Sequence, residues 1–170
     1  ELGWSPYELF LFDVDGDGDR DLFASREDAE GEFRRNDQGA QVQELPSYQP
    51  VAGVFASGER PDETRSGSVG DFDADGKPDL FLAGASGPRL YRNTSTTSPS
   101  FVDDFGSPLF NTMATASQSS WTGVFFDYDR DGDLDLYVGR GLASGAGEPT
   151  GNGLPDALFA NDGDGTFTDV

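Results

Sequence analysis

Three stretches decide how this chain is read: Phe12-Asp-Val-Asp-Gly-Asp-Gly-Asp-Arg-Asp-Leu22, Gly70-Asp-Phe-Asp-Ala-Asp-Gly-Lys-Pro-Asp-Leu80 and Phe126-Asp-Tyr-Asp-Arg-Asp-Gly-Asp-Leu-Asp-Leu136. Their leading aspartates, Asp13, Asp71 and Asp127, lie 58 and 56 residues apart. A companion pattern follows each one. Phe33-Arg-Arg-Asn-Asp-Gln-Gly39 runs on to Leu45, Leu90-Tyr-Arg-Asn93 leads to Phe101-Val-Asp103, and Leu158-Phe-Ala-Asn-Asp-Gly-Asp-Gly-Thr-Phe-Thr-Asp-Val170 is the third copy. Two patterns recurring in phase divide the chain into units at 1–45, 46–103 and 104–170, one repeat array without separate domains.

The flanks of each acidic stretch read as β. Leu9–Phe12, Ser68–Gly70 and Gly123–Phe126 precede them, and 21–25, 79–84 and 133–139 follow, all short, apolar or aromatic and closed by Gly or Ser. Asn161-Asp-Gly-Asp-Gly165 has the residues of a hairpin turn, since Asn, Asp and Gly tolerate positive φ. In the third unit, strands are predicted near 121–127, 134–139, 157–161 and 165–170. Segments 46–65 and 104–120 read as connectors, and 141–156 as an inserted loop. No stretch has the period of an amphipathic helix. Three four-stranded antiparallel units at a fixed period predict an all-β fold of β-propeller blades. Propellers typically close with four to eight blades. Three therefore predict part of a larger propeller, or copies that associate.

The acidic stretches point to metal. Positions 1, 3, 5, 7 and 9 are Asp13, Asp15, Asp17, Asp19 and Asp21; then Asp71, Asp73, Asp75, Lys77 and Asp79; then Asp127, Asp129, Asp131, Asp133 and Asp135. Gly18, Gly76 and Gly132 occupy position 6, where a sharp turn aims alternate carboxylates at one centre. Asp19, Lys77 and Asp133 at position 7 offer their backbone carbonyls, which accounts for a lysine being tolerated there. Six or seven hard oxygen ligands suit Ca²⁺ at three sites, whereas Mg²⁺ wants a stricter octahedron. An EF-hand needs a bidentate Glu at position 12 between two helices; Ala24, Leu82 and Val138 stand there, each in a predicted strand.

Composition narrows the chemistry. Eleven basic residues against 32 acidic ones give a net charge of −21, which excludes nucleic acid and anionic membranes as partners through bulk charge and favours cations. Without Cys or His there is no disulfide, thiolate or imidazole metal site, cysteine nucleophile or Ser-His-Asp triad. No apolar run approaches the length of a membrane-spanning helix. Leu11-Phe-Asp-Val-Asp-Gly16 looks like the nucleophile motif of haloacid-dehalogenase phosphatases, but Asp17 stands where that motif has Thr. The motif also recurs three times, and the sole lysine, Lys77, lies inside another loop. A non-enzyme is expected.

At the three Asp loops, at Leu80-Phe-Leu-Ala-Gly-Ala-Ser86 and at the closing Asn-Asp-Gly-Asp-Gly-Thr-Phe-Thr-Asp-Val, the chain resembles the FG-GAP/VCBS repeat family. Its blades also build integrin α-subunit propellers. The resemblance implies Ca²⁺ between strands one and two of each blade, in secreted or cell-surface adhesion proteins, with further blades, other copies, glycans or a surface protein as partners. Residues 22–25 and the altered turn at 37–41 depart from the family pattern. The alternative reading is a sugar-binding propeller, or an accessory part of a polysaccharide-active enzyme, with Trp4, Tyr7, Tyr91 and Trp121 stacking on sugar rings; packing between blades is the competing use of those aromatics. Asn93-Thr-Ser95 is a glycosylation sequon, making Asn93 a candidate, although Asn93 also fits a hairpin turn.

Overall fold

The computed structural model describes residues 6–26, 31–36, 48–55, 64–84, 87–104, 119–143, 149–150 and 155–170. Among them there is no helix. Strands β1 (Leu9–Phe12), β2 (Asp21–Ala24), β3 (Glu32–Asn36) and β4 (Tyr48–Val51) form the first sheet in chain order. The second follows the same meander with β5 (Thr64–Gly70), β6 (Asp79–Gly84), β7 (Arg89–Asn93) and β8 (Phe101–Asp103). The third runs β9 (Ser119–Phe126), β10 (Asp135–Ala143), β12 (Ala157–Asn161) and β13 (Phe167–Asp169), with the two-residue β11 (Pro149–Thr150) pairing the far end of β10. Pairing within the sheets is antiparallel throughout.

Alternation of side chains explains how the sheets stack. Phe10, Phe12, Phe23 and Phe33 of the first sheet pack with Leu80, Leu82, Tyr91 and Phe101 of the second. The neighbours on those second-sheet strands, Phe81, Ala83 and Leu90, point the other way and meet Phe125, Leu136, Val138 and Phe159 of the third. The middle sheet is thus buried on both faces, and all six residues of β6 are buried. Each fully buried Leu or Phe contributes roughly 1.5–3 kcal/mol. Close approach of the second and third sheets requires a residue without a side chain at Gly123, where an added Cβ would lie 2.1 Å from the Phe81 ring.

Two expectations need correction. The segment 46–65 is not wholly connector: Tyr48–Val51 pairs with β3, so the first sheet extends past the unit boundary placed at residue 45. Pro50 lacks an N–H to donate, and an edge strand is where a sheet tolerates that. In the third unit, β10 continues to Ala143 through a register shift at Gly139/Arg140, so the insertion at 141–156 begins as a hairpin extension of the sheet. The turn at 37–41, Ala85-Ser86, most of 104–120 and Trp4 lie outside the described residues.

Candidate metal centres

Each acidic stretch is the connection between the first two strands of its sheet: residues 13–20 (loop 1), 71–78 (loop 2) and 127–134 (loop 3). The tip of each loop curls around its own carboxylates. Asp13 accepts hydrogen bonds from the N–H groups of Gly16, Asp17 and Gly18 at 2.8–3.1 Å, and Asp71 from those of Asp75 and Gly76 at 3.0 and 2.9 Å. Asp127 accepts from Arg130 N–H at 2.7 Å. At position 5, Asp17, Asp75 and Asp131 accept from the N–H of position 7 at 2.9–3.0 Å. Two backbone kinks make this possible. Gly18, Gly76 and Gly132 have φ of 93°, 87° and 102°, as the sequence predicts, and position 4 is also left-handed: Gly16 at 76°, but Ala74 at 57° and Arg130 at 68°.

The curl gathers carboxylate oxygens. Asp13, Asp15 and Asp17 in loop 1, Asp71, Asp73 and Asp79 in loop 2, and Asp127, Asp129 and Asp135 in loop 3 each place one oxygen within 4.8 Å of the others. Positions 1 and 3 recur in all three groups. Position 9 completes two of them, and position 5 completes the first. Asp19, Asp21, Asp75, Lys77, Asp131 and Asp133 stand outside these groupings. The Lys77 ammonium does not point away from the loop but pairs with Asp75 at 3.0 Å, holding that carboxyl below its ordinary range against the opposing effect of burial.

Position 9 has a second role that the sequence reading did not identify. Asp21, Asp79 and Asp135 are fully buried at the base of their loops. In each, one oxygen accepts from the N–H of position 2, Val14, Phe72 or Tyr128, at 2.7–3.0 Å. The other accepts from the N–H of an asparagine ending the third strand, Asn36, Asn93 or Asn161, at 2.7–2.9 Å. Burial raises the Asp21 carboxyl above its ordinary value and pushes Asp79 up to about 7. The asparagine amides reach further: Asn93 Nδ2 donates to the Val14 carbonyl of the first sheet at 2.8 Å, and Asn161 Nδ2 to the Phe72 carbonyl of the second at 2.7 Å. The signal was visible as an Asn closing Arg-Arg-Asn36, Tyr-Arg-Asn93 and Phe-Ala-Asn161.

Those bonds correct the glycosylation reading of Asn93. Its side chain is 1% exposed, and its amide donates to the Val14 and Pro78 carbonyls at 2.8 and 2.9 Å. A glycan on that nitrogen would have to displace both. The sugar-stacking aromatics are likewise occupied or scattered. Tyr91 is fully buried between sheets, Trp121 lies under the Arg65 guanidinium at 4.1 Å, and Tyr7 is exposed.

Whether the loops fit a hard cation can be judged at Asp15. Its carboxylate is 1% exposed and neither oxygen receives a hydrogen bond, while one oxygen lies 3.0 Å from Arg35 Nε. Burial, together with the Asp17 charge, raises its carboxyl above the ordinary value, with Arg35 acting in the opposite direction. At Asp129, desolvation and the neighbouring Asp131 have the same raising effect. Grouped carboxylate oxygens, with few donors on the buried carboxylate of Asp15, are a set suited to an oxygen-seeking divalent ion. Ions can reach loop 1 from an open groove of about 850 Å³ that it shares with loop 2, lined by Asp13, Asp15, Arg20 and Lys77.

No curated protein matches the chain. The family model of the FG-GAP-like repeat matches residues 71–138, from the first aspartate of loop 2 to the strand that follows loop 3. Over that stretch, less than half of the chain, the protein is similar to FG-GAP-like repeats, and its three antiparallel sheets stacked face to face have the arrangement of propeller-like blades.

Proposed function

We propose that the chain is a non-catalytic, calcium-stabilised structural module that works outside the cell in adhesion or surface display. The observation that carries this reading is the recurrence, in three loops of one sequence pattern, of grouped aspartate oxygens including the buried carboxylate of Asp15. Like charges at such spacing repel, so a bound cation stabilises the curled loop and the first hairpin of its sheet. Positions 1, 3 and 9, joined by Asp17 in loop 1 and by the position 7 carbonyls, are the residues that would hold it. Millimolar calcium outside cells fills even weak sites of this type. Among the described residues, no helix is long and apolar enough to cross a membrane.

The outer faces suggest how the module is used. Leu9 and Leu11 of the first sheet are 51% and 54% exposed, and Val124 and Phe126 of the third are 47% and 40% exposed. These face away from the middle sheet, where further blades or other copies would cover them. Calcium titration by calorimetry, with melting curves in calcium and in excess chelator, tests the metal reading. At one hundred times the dissociation constant, each site adds about 2.7 kcal/mol. No heat of binding and an unchanged Tm would overturn it.

A further inference from the structure

The three loops share a sequence pattern but not an electrostatic setting. In loop 1, Arg35 from β3 pairs with Asp15 at 3.0 Å and lies 3.6 Å from Asp17. In loop 2, the equivalent Arg92 from β7 pairs with Asp73 at 2.5 Å and is itself held by Asp104 at 3.1 Å, while Lys77 neutralises Asp75. In loop 3 the equivalent residue is Ala160, and among the described residues no Arg or Lys forms an ion pair with Asp127, Asp129, Asp131 or Asp133. Both arginines are also held at points away from the loop carboxylate. Arg35 Nη1 donates to the Thr97 carbonyl at 3.0 Å, and Arg92 lies over the Phe72 ring at 5.2 Å besides its bond to Asp104. Each therefore has a second anchor that opposes its swinging aside.

We propose that Arg35, Arg92 and Lys77 grade the calcium affinity of the loops, so that loop 3 fills first, loop 1 second and loop 2 last. This rests on the calcium reading above. A guanidinium on the position 3 carboxylate neutralises charge that would otherwise attract a divalent ion, and it repels that ion directly. At such separations each fixed positive charge lowers affinity by about tenfold, even with solvent-like screening. Loop 2 carries two such ion-paired charges, loop 1 one and loop 3 none; Arg20 in loop 1 and Arg130 in loop 3 form no ion pair with a loop aspartate among the described residues. Loops 1 and 2 thus have a built-in partial substitute for the metal, and loop 3 depends on it most.

The test is a calcium titration of the full chain followed by ¹H–¹⁵N spectra, reading the amides of Gly18, Gly76 and Gly132 as reporters of their own loops. The expected order of midpoints is Gly132, Gly18, Gly76. Arg92→Gln should tighten the Gly76 midpoint about tenfold and leave Gly132 within twofold. Because Arg92 also makes contacts, the converse variant matters: Ala160→Arg adds a charge at a half-buried surface position and should weaken the Gly132 midpoint about tenfold. The differences should shrink in molar salt, where screening is strong. Coincident midpoints in the unaltered chain, or midpoints that ignore both substitutions, would overturn the proposal while leaving calcium binding intact. Amides that do not respond in any loop would overturn the calcium reading and this inference with it.

Discussion

The tip and the base of each acidic loop are built from the same residue, and they do different work. At the tip, Asp13, Asp71 and Asp127 are partly or fully exposed and bond to their own loop's N–H groups. At the base, Asp21, Asp79 and Asp135 are fully buried and join the loop to the end of the third strand. A carboxylate at the tip can be neutralised by water or an ion. One at the base must keep two backbone donors satisfied where no water reaches. Identical spacing in sequence therefore conceals a difference: the tip carboxylates serve their own loop, whereas those at the base also hold the sheet closed.

The most severe way to separate the two is truncation. Asp135→Ala leaves the N–H groups of Tyr128 and Asn161 without acceptors and should cost about 4 kcal/mol in urea denaturation of the metal-free chain. Asp131→Ala at the tip of the same loop should change metal-free stability by less than about 0.5 kcal/mol. Equal losses would erase the distinction.

Acidity offers the next test. Asp79 has a folded-state pKa of about 7 against an ordinary 3.8, so between those values the native chain binds more protons than the unfolded one. Its contribution to metal-free stability is then fully present below pH about 4 and lost as the pH rises through about 7, a fall of roughly 3 kcal/mol after allowance for residual hydration. Melting in chelator from pH 4 to 8 checks the sign, and stability rising over that range would contradict it.

Asn161→Ala removes the amide bonds to Phe72 and Leu134 and the acceptor for Gly163 N–H, with an expected loss of about 2 kcal/mol by denaturant midpoint. The smallest effect belongs to the tip. Ala74→Gly relieves a left-handed alanine and should raise stability by about 0.5 kcal/mol, because released strain exceeds the added unfolded-state entropy. A loss of stability on that change would mean that the loop is not strained at position 4.

Much of this architecture was legible in the sequence because its period is physical. The loops between first and second strands, the turn at Gly163 and Gly165 and the absence of helix among the described residues all follow from short apolar runs separated by Asp and Gly. Strand β4 was not legible. Tyr-Gln-Pro-Val has neither alternation nor length, and it forms because β3 offers it an edge. The division between tip and base was hidden for another reason. The partner of Asp79 is Asn93, 14 residues later on a different strand, and no local pattern announces which aspartate an asparagine will meet. Arg35 and Arg92 were likewise read as parts of a companion motif, since only the fold brings β3 and β7 beside the loops that precede them.

The amide bridges between sheets run in one direction along the chain. Val14 obtains its Asn93 partner 79 residues later, and Phe72 obtains Asn161 after 89. During synthesis, then, a newly emerged loop stays incomplete until the following repeat has left the ribosome, and each repeat is finished by its successor rather than by itself. The nascent chain matures from its beginning with a lag of more than one repeat, which leaves the most recently made sheet as the part still waiting for closure.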